Sequence, residues 1–173
     1  MAYPFTPTTQ PPLKNYHVNS FNFNEWCKYD GVVWGYHLGE DVNCRAGTKV
    51  LASGRGHVVY AALHPGTRKK RNWGNIIIVA HKNPRTRKNF FTLYGHLGYR
   101  LVRKGQRVEV GQVLGTVGRA NSAENGFWES HLHFSVYIGP WKGKVLAGYW
   151  KKGMKRTKRS FWRKPSSFIS SYK

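Results

Sequence analysis

Short runs of apolar, β-branched and aromatic residues, each ended by glycine, asparagine or proline, dominate the chain from Val32 onward. They are KVLAS from Lys49, HVVYAA from His57, NIIIVAH from Asn75, NFFTLYGH from Asn89, RVEVGQVLGTVG from Arg107 and HLHFSVYIG from His131. Runs of roughly 4–8 such residues between turn formers predict strands. No segment keeps a helical period long enough to argue an amphipathic helix. The pattern therefore predicts a mainly β, compact and mostly antiparallel domain with little helix.

Two regions depart from this pattern. Residues 1–13 carry Pro4, Pro7, Pro11 and Pro12 among threonine and glutamine, and are expected to form an extended, solvated arm. Residues 141–173 form a basic aromatic segment, packed on or extending from the same domain. Between Lys142 and Lys164 it holds ten basic residues and no acidic one, interleaved with Tyr149, Trp150, Phe161 and Trp162. The basic stretches HPGTRKKRNWG from His64 and KNPRTRKN from Lys82 read as surface loops between strands. With 173 residues the chain suits one folded unit, residues 14–140, carrying these two appendages.

Charge narrows the range of partners. Lys and Arg number 29 against 7 Asp and Glu, a net charge of +22, so the chain should attract nucleic acid, anionic lipid or acidic envelope polymers. The two cysteines, Cys27 and Cys44, form no CxxC pair, and both a single disulfide and two free thiols fit. The opening MAYPFTPTTQPPLK has neither a basic start nor an apolar run, so no signal peptide is seen. No apolar stretch is long enough to span a membrane. The expectation is a chain made in the cytoplasm, or secreted if a leader has been trimmed.

Three histidine-bearing segments are candidates for chemistry. In WGYHLGEDV, His37 and Asp41 lie four residues apart around Gly39, a spacing that lets both converge on one ion. In HLHF, His131 and His133 share one face of a strand while Leu132 and Phe134 enter the core on the other. LYGHLG places His96 at a strand end between Gly95 and Gly98. Catalytic zinc takes three protein ligands and leaves a position for water, which it acidifies while polarising a carbonyl. His37, Asp41 and one histidine of HLHF complete such a set, leaving the other and His96 to handle protons and stabilise an oxyanion. His17, His57, His64 and His81 have no carboxylate or second imidazole at useful spacing and are read as structural.

In their order and separation, these segments resemble the lysostaphin/LytM-type zinc endopeptidases. The resemblance covers roughly residues 31–140 and rests on YHLGEDVNCRAGTKVLASGRGHVVYA, GNIIIVAH, FFTLYGHLG, VRKGQRVEVGQVLGTVGRA and SHLHFSVY. It implies an antiparallel β-sheet cleft, zinc held by His37, Asp41 and His133, and a catalytic pair of His96 and His131. It also implies peptidoglycan, through its stem or cross-bridge peptides, as the substrate. Candidate substrate-binding residues are Trp34, Asn75, Tyr94 and Trp128. One departure is ANSAENGFWES, where the family often has a Gly- and Thr-rich turn; Glu124, Phe127, Trp128 and Glu129 are expected to reshape one wall of the cleft. Some relatives have lost ligands and act as activators, but every ligand and both catalytic positions are present in this chain.

An active endopeptidase, monomeric and held on an anionic wall by its basic surface, is thus the expected function. A phage-type lysin, a virion-borne enzyme and a secreted lytic enzyme all suit the chain. The alternative is a basic wall- or nucleic-acid-binding protein without catalysis, whose lysines, arginines and aromatics grip phosphates and stack bases. Nucleic acid is the weaker partner, because binding it needs no HxxxD, YGHL and HLH together.

Overall fold

The computed structural model describes residues 2–171. Its strands are β1 (Trp26–Tyr29), β2 (Val32–His37), β3 (Glu40–Asn43), β4 (Lys49–Leu51), β5 (Gly56–His64) and β6 (Gly74–Lys82). They continue with β7 (Asn89–Arg100), β8 (Arg107–Val108), β9 (Val113–Val117), β10 (His131–Tyr137), β11 (Tyr149–Trp150) and β12 (Trp162–Arg163). A 3-10 turn at Arg159–Phe161 precedes β12, and a short α-helix, α1 (Pro165–Ser170), follows it with proline in its first turn, where a missing N–H costs nothing. The fold is the mainly β, antiparallel one that the apolar runs predict.

A nine-stranded sheet runs β12-β10-β7-β6-β5-β8, with β3 added to β10 and with β9 joining β4 to β7. A smaller sheet runs β1-β2-β11. Strand β6 is buried along almost its whole length, which explains its unbroken NIIIVA run. Ile77 and Val79 face one core cluster with Val58, Tyr94, Leu97 and Phe134. Ile76, Ile78 and Ala80 face a second with Phe91, Leu93, Tyr137 and Trp162.

That second core accounts for the basic aromatic segment. Trp162 is 2% exposed, and Trp141, Trp150 and Phe161 pack against the same cluster, while most of the intervening lysines and arginines stay exposed. Alternating aromatic and basic residues here serve a cover whose inner side is apolar and whose outer side is charged. The buried Glu40 fixes α1 by accepting hydrogen bonds from Ser166 N–H (2.8 Å), Ser166 Oγ (2.7 Å) and Tyr16 Oη (2.7 Å).

At the other end, the proline-bearing arm is held against the large sheet by backbone hydrogen bonds while several of its side chains stay exposed. Thr6 N–H donates to Lys82 O, Gln10 N–H to Ser53 O, and Leu51 N–H to Pro12 O, so the arm takes up backbone groups at sheet edges. Thr6 and Leu13 are buried. Cys27 and Cys44 are both free thiols, which removes the disulfide alternative. Among the described residues no helix is long and apolar enough to cross a membrane.

Candidate metal centre and active site

The seam between the two sheets brings the histidine segments together. His37 ends β2 in the small sheet, Leu38 and Gly39 make the turn, and Asp41 lies in β3 of the large one. Antiparallel register places Asp41 opposite His133 on β10, and His133 in turn opposite Gly95 on β7. Gly39 is required by this close approach: a Cβ there would lie 2.6 Å from both His133 Nε2 and Ser135 Oγ.

His37 Nε2, Asp41 Oδ1 and His133 Nδ1 stand 2.9–3.2 Å from one another. Donors about 2.0–2.1 Å from a tetrahedral zinc are about 3.3 Å apart, so this triangle is close to the size such an ion needs. The outer hydrogen bonds say which atoms carry lone pairs. A carbonyl can only accept, so the 3.1 Å contact from His37 Nδ1 to Asn22 O puts a proton on Nδ1 and, in the neutral ring that a metal requires, leaves Nε2 bare. His133 Nε2 is bonded to Ser135 Oγ at 2.7 Å; with the proton there, Nδ1 is bare too. Two imidazole lone pairs and a carboxylate oxygen then converge. Asp41 Oδ1, buried and within ion-pair distance of both rings, receives no well-directed hydrogen bond. Three electron-rich atoms packed this way fit a cation between them, with the outer bonds orienting the ligands.

Burial and neighbouring charge together set the titration of these groups. Burial opposes a charge on Asp41, but the imidazoles of His37, His131 and His133 outweigh it and hold the carboxyl well below the ordinary carboxylate range. Burial pushes His133 down to about 4 against the pull of Asp41, and it pushes His96 well below the usual imidazole value, helped by the charges of His131 and His133. His96 and His133 are therefore neutral and Asp41 ionised at neutral pH, the state in which a metal site binds.

His96 and His131 flank the triangle, their ring centres 4.6 Å apart. Each is oriented by a backbone carbonyl, His96 Nδ1 by Asn125 O (2.9 Å) and His131 Nδ1 by Glu129 O (2.8 Å). By the same carbonyl argument, Nδ1 carries a proton in each ring, and Nε2 is the nitrogen left to face substrate or solvent. His131 Nε2 also lies 3.8 Å from Asp41 Oδ2. His96 holds φ +62°, a left-handed conformation that costs a non-glycine residue about 1–3 kcal/mol and tends to survive at functional sites. Its amide bonds Trp73 O and its carbonyl accepts from Gly118 N–H, which together fix the strained turn.

Aromatic rings wall the site. Trp73 stacks on His96 (5.4 Å) and meets His133 edge-on (4.9 Å), and Tyr149 packs on His37 (5.2 Å). Trp34 and Trp128 touch at 5.0 Å and line a cavity of about 320 Å³ that opens beside His96 and His133. On the other side of Trp128 and Tyr149, a smaller cavity of about 160 Å³ reaches Asp41 and His131.

Of the four candidate substrate-binding residues, Trp34 and Trp128 line the larger cavity, and the other two line neither. Tyr94 is a fully buried core residue whose Oη accepts from Ser53 N–H, because its position on β7 faces the first cluster. Asn75 is also buried, and its amide holds Gly98 O at 2.8 Å. Trp73, Tyr149, Arg71 and Arg156 are further wall residues, contributed by the basic loop before β6 and by the C-terminal segment. Trp73, the one aromatic residue of its basic loop, was the available signal. In the departing turn, Asn125 and Glu129 supply their carbonyls, while Trp128 supplies its ring.

Residues 35–147 match the family model of peptidase family M23, and the chain belongs to that family. The family is zinc-dependent in general, and the His37, Asp41 and His133 set falls within the matched region. The chain is 33% identical to the peptidoglycan DD-endopeptidase ShyA of Vibrio cholerae over 102 residues, 59% of this chain and 20% of ShyA. It is 30% identical to the murein hydrolase activator NlpD of Escherichia coli over 116 residues, 67% of this chain and 26% of NlpD. It thus spans about a quarter or less of the length of these two relatives. In structure it is similar to the catalytic domain of the peptidase lysostaphin from Staphylococcus simulans. The TM-score is 0.55 at 20% identity, over 87% of this chain and 90% of that one, which shows a lysostaphin-like fold.

Proposed function

We propose that the chain is a zinc-dependent endopeptidase that cleaves peptide bonds in bacterial peptidoglycan. The observation that carries this reading is the convergence of His37 Nε2, Asp41 Oδ1 and His133 Nδ1, with two further histidines turned toward the same space. His37, Asp41 and His133 would hold the ion. Zinc, when bound, supplies electrophilic help to a carbonyl and acidifies water.

The remaining chemistry belongs to the chain's own residues. His131, with Nδ1–H fixed on Glu129 O, presents a bare Nε2 that accepts a proton from the attacking water and passes it to the leaving amine. Held by Asn125 O and stacked under Trp73, His96 faces the same space and steadies charge developing on the carbonyl oxygen. The low exposure of all five residues, none above 7%, keeps water away from these interactions and strengthens them.

The positive surface supports an anionic envelope polymer as the surrounding partner. Against a net charge of +22, the described residues contain two Arg–carboxylate ion pairs, Arg55–Glu109 and Arg71–Asp30, so most of the cationic charge is unneutralised. Burial of Trp162 and its neighbours weighs against stacked nucleic-acid bases, since those rings already face the core.

The deciding experiment incubates the protein with sacculi from several wall types, with and without chelator and zinc add-back, beside His131→Ala. New amino termini, identified by mass spectrometry, that depend on metal and vanish in the variant support the peptidase. An activator, the second reading suggested by NlpD's description, would stimulate another hydrolase while releasing no ends itself.

A further inference from the structure

The larger cavity beside the metal centre has a chemical bias. No acidic side chain lines it, and two of its lining residues are arginines, Arg71 and Arg156. Arg71 is already committed: its Nη1 pairs with Asp30 at 2.9 Å and its Nε donates to Phe127 O at 3.2 Å. Arg156 is exposed and makes no ion pair or side-chain hydrogen bond among the described residues, so its guanidinium fork is available. A second unpaired donor belongs to the same wall. Trp34, another wall residue, has a buried indole N–H with no acceptor, a state that folded proteins avoid unless something else supplies the partner. Arg156 lies outside the region matched to the M23 family, so this donor is a feature of the chain's own C-terminal segment.

We propose that this cavity is a subsite for a substrate residue bearing a free carboxylate, gripped by Arg156 and the Trp34 indole N–H, so that the enzyme favours acidic over amidated stem peptides. The inference rests on the peptidase reading, because the cavity opens beside His96 and His133. A carboxylate there satisfies the orphan donor and neutralises the unpaired guanidinium; a carboxamide offers one neutral oxygen and brings its own donors toward a cation.

The test uses cross-linked stem-peptide dimers in two forms, one with free carboxylates and one with the same groups converted to carboxamides. Binding is read from tryptophan fluorescence, with and without zinc, and cleavage from the zinc-loaded protein. The wild type should bind the acid form about tenfold or more tightly than the amide, the size of a hydrogen bond to a charged group. Arg156→Gln should bring the two affinities together, Arg156→Lys should keep part of the preference, and Trp34→Phe, which keeps a ring but loses the N–H, should narrow it. Equal affinities in the wild type, or an intact preference in Arg156→Gln, overturn the subsite. Cleavage without acid preference leaves the peptidase standing and removes the subsite, whereas acid-selective binding without cleavage of either form does the reverse.

Discussion

Asp41 and His133 face each other across the β3–β10 pairing, and that register brings Asp41 Oδ1 to 2.9 Å from His133 Nδ1. One side of the donor triangle is thus set by strand register, and its third member, His37, arrives from the other sheet through the Gly39 turn. The purified protein should bind one zinc, measured by elemental analysis, and His133→Ala or Asp41→Asn should lose it. At free zinc one hundred times the dissociation constant, binding adds about 2.7 kcal/mol to the folded state. The wild type's melting temperature should therefore rise with zinc while those of the variants stay put. A wild type that melts at the same temperature with and without zinc would sink the metal assignment.

His96 and His131 are held by backbone carbonyls and are not members of the donor triangle, so metal binding and catalysis should separate. His131→Ala and His96→Ala should each retain zinc at one equivalent and lose about 10²–10⁴-fold in the cleavage rate, the range for a positioned proton-transfer group. Loss of metal from either variant, or near-normal turnover of wall peptides, would remove the proton-handling role.

Strand runs such as NIIIVAH and HLHF were legible because alternation and burial leave a direct imprint on residue type. The five histidine and aspartate positions stood out for a similar reason, since HLHF and HxxxD fix faces and turns locally. Tyr94 did not, because a tyrosine on β7 looks the same whether it faces a cleft or Ser53 in the core. The packing of the arm and of the basic tail was not legible in the same way. Proline and lysine content predicts solvation, but Thr6 and Trp162 are buried by partners 76 and 25 residues away in sequence, Lys82 and Tyr137. Trp73 and Arg156 reach the site from loops, whose paths depend on tertiary contacts that no local pattern records.

The tail's aromatic residues can be tested as core. Trp162 is 2% exposed, packs on Tyr137 with ring centres 4.9 Å apart, and gives its indole N–H to Thr157 Oγ1 at 3.0 Å. Trp162→Ala should cost about 3–5 kcal/mol, as large-to-small changes at buried aromatics do. Urea unfolding followed by circular dichroism measures this. An unchanged midpoint would mean that the tail is a dispensable, solvated cover.

His81 offers a pH test away from the metal centre. It is fully buried, with Nδ1 on Arg55 O at 2.8 Å and Nε2 at 2.8 Å from Thr92 Oγ1, and burial pushes its pKa down from the usual 6.5 to about 4. Between these values the unfolded chain binds a proton at this position and the folded chain does not. Stability therefore rises with pH across the window: the contribution is present above 6.5 and is lost as pH falls toward 4. One pKa unit is worth about 1.4 kcal/mol, so His81 should account for a loss of roughly 3 kcal/mol over the window. His81→Asn, which does not titrate, should be less stable at neutral pH but should show a shallower decline on acidification. Urea midpoints measured from pH 7 to pH 4 compare the two slopes. Since histidines elsewhere in the chain decline equally in both proteins, the difference belongs to residue 81, and parallel slopes would mean that its imidazole is protonated in the folded state.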